Sequence, residues 1–156
     1  MSVVFAALLV GSAAAVPVGT TLVVSDADTG AVLVSHPVHD GSTVDLTYTH
    51  SVQKTPVHDV YTVRGDTLVN TKMTFESYGW GLPARQDVRE VNGTLVFDPD
   101  WEGRHLYVTP GRVAGHELVV DGHRYDLVAL SNASSVRIEL TDRSALDAAI
   151  DAATHE

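Results

Sequence analysis

The sequence predicts a mainly β fold: an antiparallel β-sandwich or barrel-like domain, with a short C-terminal helix and an N-terminal apolar segment. Three observations predict it. Past residue 20 the chain is a series of short alternating apolar and polar runs, the period of a half-buried strand. Turn residues fall between those runs at hairpin spacing. No strand–helix–strand alternation, phosphate-binding loop or dinucleotide fingerprint interrupts them.

The elements follow in order. The chain opens "MSVVFAALLVGSAAAVPVGTTLVV", apolar from Val3 to Val18 except at Gly11, Ser12 and Pro17. That run is short for a transmembrane helix and long for the apolar core of a signal peptide. Residues 1–19 are expected to be a signal peptide or membrane anchor, though no Lys or Arg precedes the run. Residues 20–156 are expected to form a single extracytoplasmic β domain. "TTLVV" and "AVLVSHPV" flank "SDADTG", a hairpin loop. "STVDLTYTH" sets Val44, Leu46, Tyr48 and His50 on one face, against Thr43, Asp45, Thr47 and Thr49 on the other. "PVHDVYTV" and "TLVNTKMTF" are joined through Arg64-Gly65-Asp66. "VNGTLVF" carries Asn92-Gly93, and "GHELVVDGHRYDLVAL" places Asp121-Gly122 between two strand-like runs. "SSVRIELT" is the last strand, of roughly eight to ten. "TDRSALDAAIDAATHE" puts Leu146, Ala149, Ile150 and Ala153 at helical spacing behind Asp142 as N-cap.

At 156 residues and 44% hydrophobic, the chain suits one domain with a true core. It has no cysteine, which excludes disulfides, thiolate metal sites and a thiol nucleophile. The net charge of −10 argues against nucleic acid and anionic membrane surfaces as ligands. Acidic residues outnumber basic ones 20 to 10, and Lys54 and Lys72 are the two lysines. Hydrated carboxylates with few lysines suit high salt, so a halophilic source is expected.

Several residues could carry chemistry. Eight histidines include the pairs His36/His39, His50/His58 and His116/His123. Imidazoles brought together by strands can hold zinc, copper or nickel, and His116 and His123 would face each other, or nearly so, across a hairpin beside Glu117. No HExxH motif supports this, and scattered histidines are the simpler reading. "SDADTG" and "DPDWEG" cluster Asp26, Asp28, Asp98, Asp100 and Glu102 near glycine, as calcium would want but also as turns want. His50 and Ser51 are adjacent on a strand and so point apart. No nucleophile elbow occurs. The spacing names no catalytic residue, no metal ligand and no cofactor.

Two segments remain. "THSVQKTPVHDVY", Thr49–Tyr61, concentrates ionisable groups inside strand-like sequence. "FESYGWGLP", Phe75–Pro83, frames Trp80 between Gly79 and Gly81. An aromatic on a tight loop is a good contact anchor, or a plug for one end of the sandwich. Glu76 could pair with Lys54 or Arg85.

With "GHELVV" later, these segments resemble the uncharacterised domain of unknown function family 1850. The signature residues are His50, Ser51, Val52, Lys54 and Pro56, then Ser77, Gly79, Gly81, Leu82 and Pro83. The family often has alanine where this chain has Trp80. The resemblance implies no catalytic role. It implies a context: such genes tend to neighbour tripartite ATP-independent periplasmic (TRAP) transporters of the TAXI class, which pair an extracytoplasmic solute receptor with a fused permease. The chain is then expected to be an exported, non-catalytic accessory component that contacts the TRAP–TAXI permease or solute receptor. Its contact surface would comprise His50, Ser51, Lys54, Pro56, Glu76, Gly79, Trp80 and Gly81. His50 should end one strand and Pro56 open the next, where a missing N–H costs no ladder bond. The rivals are a solute- or metal-binding extracytoplasmic module and, more weakly, a small hydrolase.

Overall fold

The computed structural model describes residues 17–77 and 88–144. The chain there begins with a hairpin, β1 (Pro17–Asp26) and β2 (Val32–Val38). Asp26 closes its loop. The Oδ1 atom accepts the backbone N–H groups of Thr29 at 2.8 Å and Asp28 at 3.1 Å, and the Thr29 hydroxyl at 2.8 Å. The Thr29 N–H, then its hydroxyl, hold the Asp26 carboxyl below its usual range. The "SDADTG" carboxylate nearest the strand therefore serves a turn. Strand β1 starts at Pro17, so it takes up residues 17–19 of the segment expected to be leader or anchor.

A meander follows: β3 (Thr43–Thr49), β4 (Pro56–Arg64) and β5 (Thr67–Phe75). Then come β6 (Arg89–Val91), β7 (Thr94–Phe97), β8 (Trp101–Gly103) and β9 (His105–Val108). The last hairpin is β10 (Glu117–Val120) and β11 (His123–Asp126). It leads into α1 (Leu127–Ser131) and β12 (Val136–Ser144). Asn92-Gly93 and Asp121-Gly122 have φ of 51° and 81°, and 47° and 88°. Positive φ at both turn positions matches the right-handed twist of the strands they join.

The strands form two sheets. One has the order β2-β1-β12-β9. The other runs β11-β10-β3-β4-β5-β7-β6, with β8 also paired to β5. All pairings are antiparallel, and both orders are open, so the fold is a sandwich and not a closed barrel. Leu22, Val24 and Ile138 of the smaller sheet meet Val44, Leu46, Val63, Leu68, Leu118 and Val120 of the larger. Each such buried side chain contributes about 1.5–3 kcal/mol. A second cluster, Val57, Met73 and Phe75 with Tyr48, Leu95 and Phe97, lies further along the large sheet.

The described residues hold twelve strands where the sequence predicts eight to ten; β6 and β8, of three residues each, are too short to show a period. The tail also differs. Asp142, the expected N-cap, pairs with Thr20 inside β12, where β1 supplies a ladder partner as far as Ser144. The remaining tail positions, Leu146 to Ala153, lie outside the described residues. The one helix among the described residues is α1, which begins where "YDLVAL" reads as strand. Asp126 caps it, accepting the Ala129 N–H at 2.9 Å, and Asn132 ends it in the left-handed conformation. No helix among the described residues is long and apolar enough to cross a membrane.

Candidate functional site

The connection between β3 and β4 is built on His50. Its side chain is only 8% exposed. Nδ1 accepts the backbone N–H groups of Val52 at 3.3 Å and Gln53 at 3.1 Å, so Nδ1 carries no proton in this arrangement. The His50 N–H donates to Thr55 O at 2.8 Å, and the Lys54 N–H to His50 O at 2.9 Å. Lys54 takes φ of 58°, a left-handed conformation that closes the loop without glycine. Pro56 opens β4, as the sequence predicts. The result is a self-bonded loop that buries its histidine and exposes Ser51, Val52, Gln53 and Lys54. Val52 is 66% exposed.

Strand pairing brings the second signature segment to the same end. Val57 pairs with Phe75, so Glu76 and Ser77 leave β5 beside the start of β4. Glu76 is exposed. No ion pair joins it to Lys54 among the described residues. Gly79, Trp80, Gly81 and Arg85 lie outside the described residues.

A third segment, 109–116, docks alongside: the Thr49 N–H donates to Ala114 O at 2.8 Å. It carries Val113, 74% exposed. Arg112 ties it to the end of α1 by donating to Asn132 Oδ1 at 2.7 Å and Asn132 O at 3.1 Å. A cleft of about 380 Å³ opens here, lined by Tyr48, Pro56, Arg112, His116 and Asp126 among others. His116 stacks on Tyr48 with ring centroids 5.0 Å apart, and burial holds its imidazole below the usual histidine range.

Among the described residues, the histidine–histidine ring contact observed is not one of the pairs picked out by spacing. The two-residue Asp121-Gly122 turn pairs Val120 with His123, which puts His116 at the far end of the hairpin, where its carbonyl accepts the Leu127 N–H. His123 instead meets His36 of β2, with centroids 4.9 Å apart, and His36 Nδ1 lies 2.7 Å from the Tyr125 hydroxyl. His58 bonds Asp45 Oδ2 at 3.0 Å. No group of three or more His, Asp or Glu arranged to hold a metal occurs among the described residues.

Sequence reasoning did not place one polar group on the core face. Asp59 pairs with Leu46 of β3 and Met73 of β5, positions whose side chains are buried. It therefore faces the apolar side of the large sheet, and burial raises its carboxyl above the usual range. Asn70, the ladder partner of Tyr61, partly offsets that burial for both Asp59 and Tyr61. Burial and the Asp59 charge push the Tyr48 hydroxyl up to about 12, and move Tyr61 in the same direction. The signal was present: in "PVHDVYTV", Asp59 is in phase with Val57, Tyr61 and Val63.

Fold and site together define an open antiparallel sandwich that displays a signature loop at one end. The chain belongs to the domain of unknown function (DUF1850) family, whose model matches residues 44–127. That span holds both signature segments. No curated protein and no solved structure matches the chain.

Proposed function

We propose that the protein is an exported, non-catalytic accessory component of a TRAP–TAXI solute importer, acting through contacts made by the signature end of its sandwich. One observation carries the reading: Nδ1 of the buried histidine holds the signature loop's own backbone, and the loop turns Ser51, Val52 and Lys54 outward. Exposed valines on two adjacent loops, beside a lysine with no carboxylate partner among the described residues, suit a protein contact. The importer itself comes from the family resemblance.

The solute receptor fits better than the permease as partner. Thr20 pairs with Val38, so β1 starts at the end of the sandwich where β2 passes into β3. The signature loop lies at the other end, about 20 Å away along β3. A tether preceding Pro17 would point that loop away from the membrane.

A photo-crosslinking residue at position 52, with a control at the exposed Asp66 of the opposite end, tests the reading in native membranes. The solute receptor should be captured from position 52 and not from 66. Capture from 66 alone, or from neither, overturns it.

A further inference from the structure

A second recess lies away from the signature end, between β9 and the inner face of the large sheet. It is a cleft of about 420 Å³ lined by Tyr61, Asn70, Trp101, His105 and Tyr107, with Leu46 below. Three strands set its aromatic floor. Asn70 pairs with Tyr61 on one side and with Trp101 of β8 on the other. The Tyr61 and Trp101 rings meet edge to face, with centroids 5.7 Å apart. On β9, Tyr107, 63% exposed, meets its near neighbour His105 edge to face at the rim.

The position of Trp101 is built in. A Cβ on Gly103 would come within 2.9 Å of the indole ring, so the ring lies over a position that only glycine leaves open. Gly103 has no positive φ, which means that close approach, and not backbone conformation, requires the glycine. Half-exposed aromatic rings held in this way form a binding floor rather than a core.

None of the described lining residues of the recess is Lys, Arg, Asp or Glu. Asn70 is 8% exposed, and its Oδ1 has no hydrogen-bond partner; Asp59 lies beside the recess as the ladder partner of Leu46. Asp59 has no ion-pair partner among the described residues. Aromatic faces, an unpartnered carbonyl oxygen and a nearby carboxylate with no Lys or Arg partner among the described residues favour positive charge.

We propose that this cleft is a binding site for a small organic ammonium ligand, its apolar body on Trp101 and Tyr61 and its charge directed toward the Asn70–Asp59 side. The site is independent of the signature loop and of the importer reading.

The test is an NMR titration of the full chain, following the Trp101 indole N–H, with benzylammonium, benzyl alcohol and benzoate as probes. The indole signal is assigned with Trp101→Phe. Benzylammonium should bind at least tenfold more tightly than benzyl alcohol, and benzoate should not bind. Asp59→Asn should reduce benzylammonium to the level of the alcohol. Gly103→Ala, which displaces the indole, should weaken both. The proposal is overturned if benzoate binds as well as benzylammonium, if no probe moves the Trp101 signal, or if Asp59→Asn keeps the full preference. Asp59→Asn is nearly isosteric, and a retained amide spectrum shows that the fold is intact.

Discussion

The two ends of the sandwich use their polar groups differently. At the end where β2 meets β3, loops bind one another. The Asp121 carboxylate accepts the Thr43 N–H at 2.8 Å, Asp40 accepts the Gly65 N–H at 2.8 Å, and Ser42 is buried between them, accepting the Val63 N–H through its carbonyl. At the signature end, segment 109–116 is docked through Thr49 and Arg112, but the loop after β3 holds its own backbone through His50 Nδ1 and leaves Ser51, Val52, Gln53 and Lys54 outward. One end spends its polar groups on the fold. The other leaves Ser51, Gln53 and Lys54 exposed.

His50→Ala should have the largest effect. It strands two backbone N–H groups and empties a buried position, costing about 2–3 kcal/mol in a denaturant titration. A loss below about 0.5 kcal/mol would mean that the loop is not held by its histidine. At the other end Asp121→Ala should cost about 1–2 kcal/mol, since water can reach part of the freed turn. If it costs more than His50→Ala, the contrast between the ends is drawn too sharply.

Asp59, between the ends, gives a pH signature. Burial raises its folded-state pKa above the unfolded value of 3.8. Its contribution is therefore fully present below 3.8 and lost as pH rises through the folded value. Asp59→Asn should raise the melting temperature at neutral pH, and the gain should shrink to nothing as pH falls to 3.8. A gain that does not change with pH would contradict the placement of the carboxylate. The smallest effect on stability is expected for Val52→Ser with Lys54→Ala: within about 0.5 kcal/mol, because both side chains are exposed and unbonded.

Much of the architecture was legible because its signals are local. Alternation in "STVDLTYTH" placed Val44 and Leu46 in the core and put His50 at a strand end. Asn92-Gly93 and Asp121-Gly122 named their own turns. Other features depend on partners distant in sequence. Strand β12 runs through Asp142 because β1 is there to pair with it, and a capping residue does not outweigh a ladder. The cleft under β9 joins β4, β5, β8 and β9, with a register shift between Val60 and Tyr61 that no period announces. The signature residues were found as a set, but their division of labour was not: His50 is the scaffold, while Ser51 and Lys54 are displayed.

The most direct test is co-purification of the tagged, full-length chain from native membranes in high salt, wild type beside the Val52→Ser, Lys54→Ala variant, with mass spectrometry of the eluates. The account predicts that the solute receptor accompanies the wild type and is lost from the variant, whose melting temperature is unchanged. A wild-type chain that elutes alone, or a variant that keeps the receptor, would contradict it.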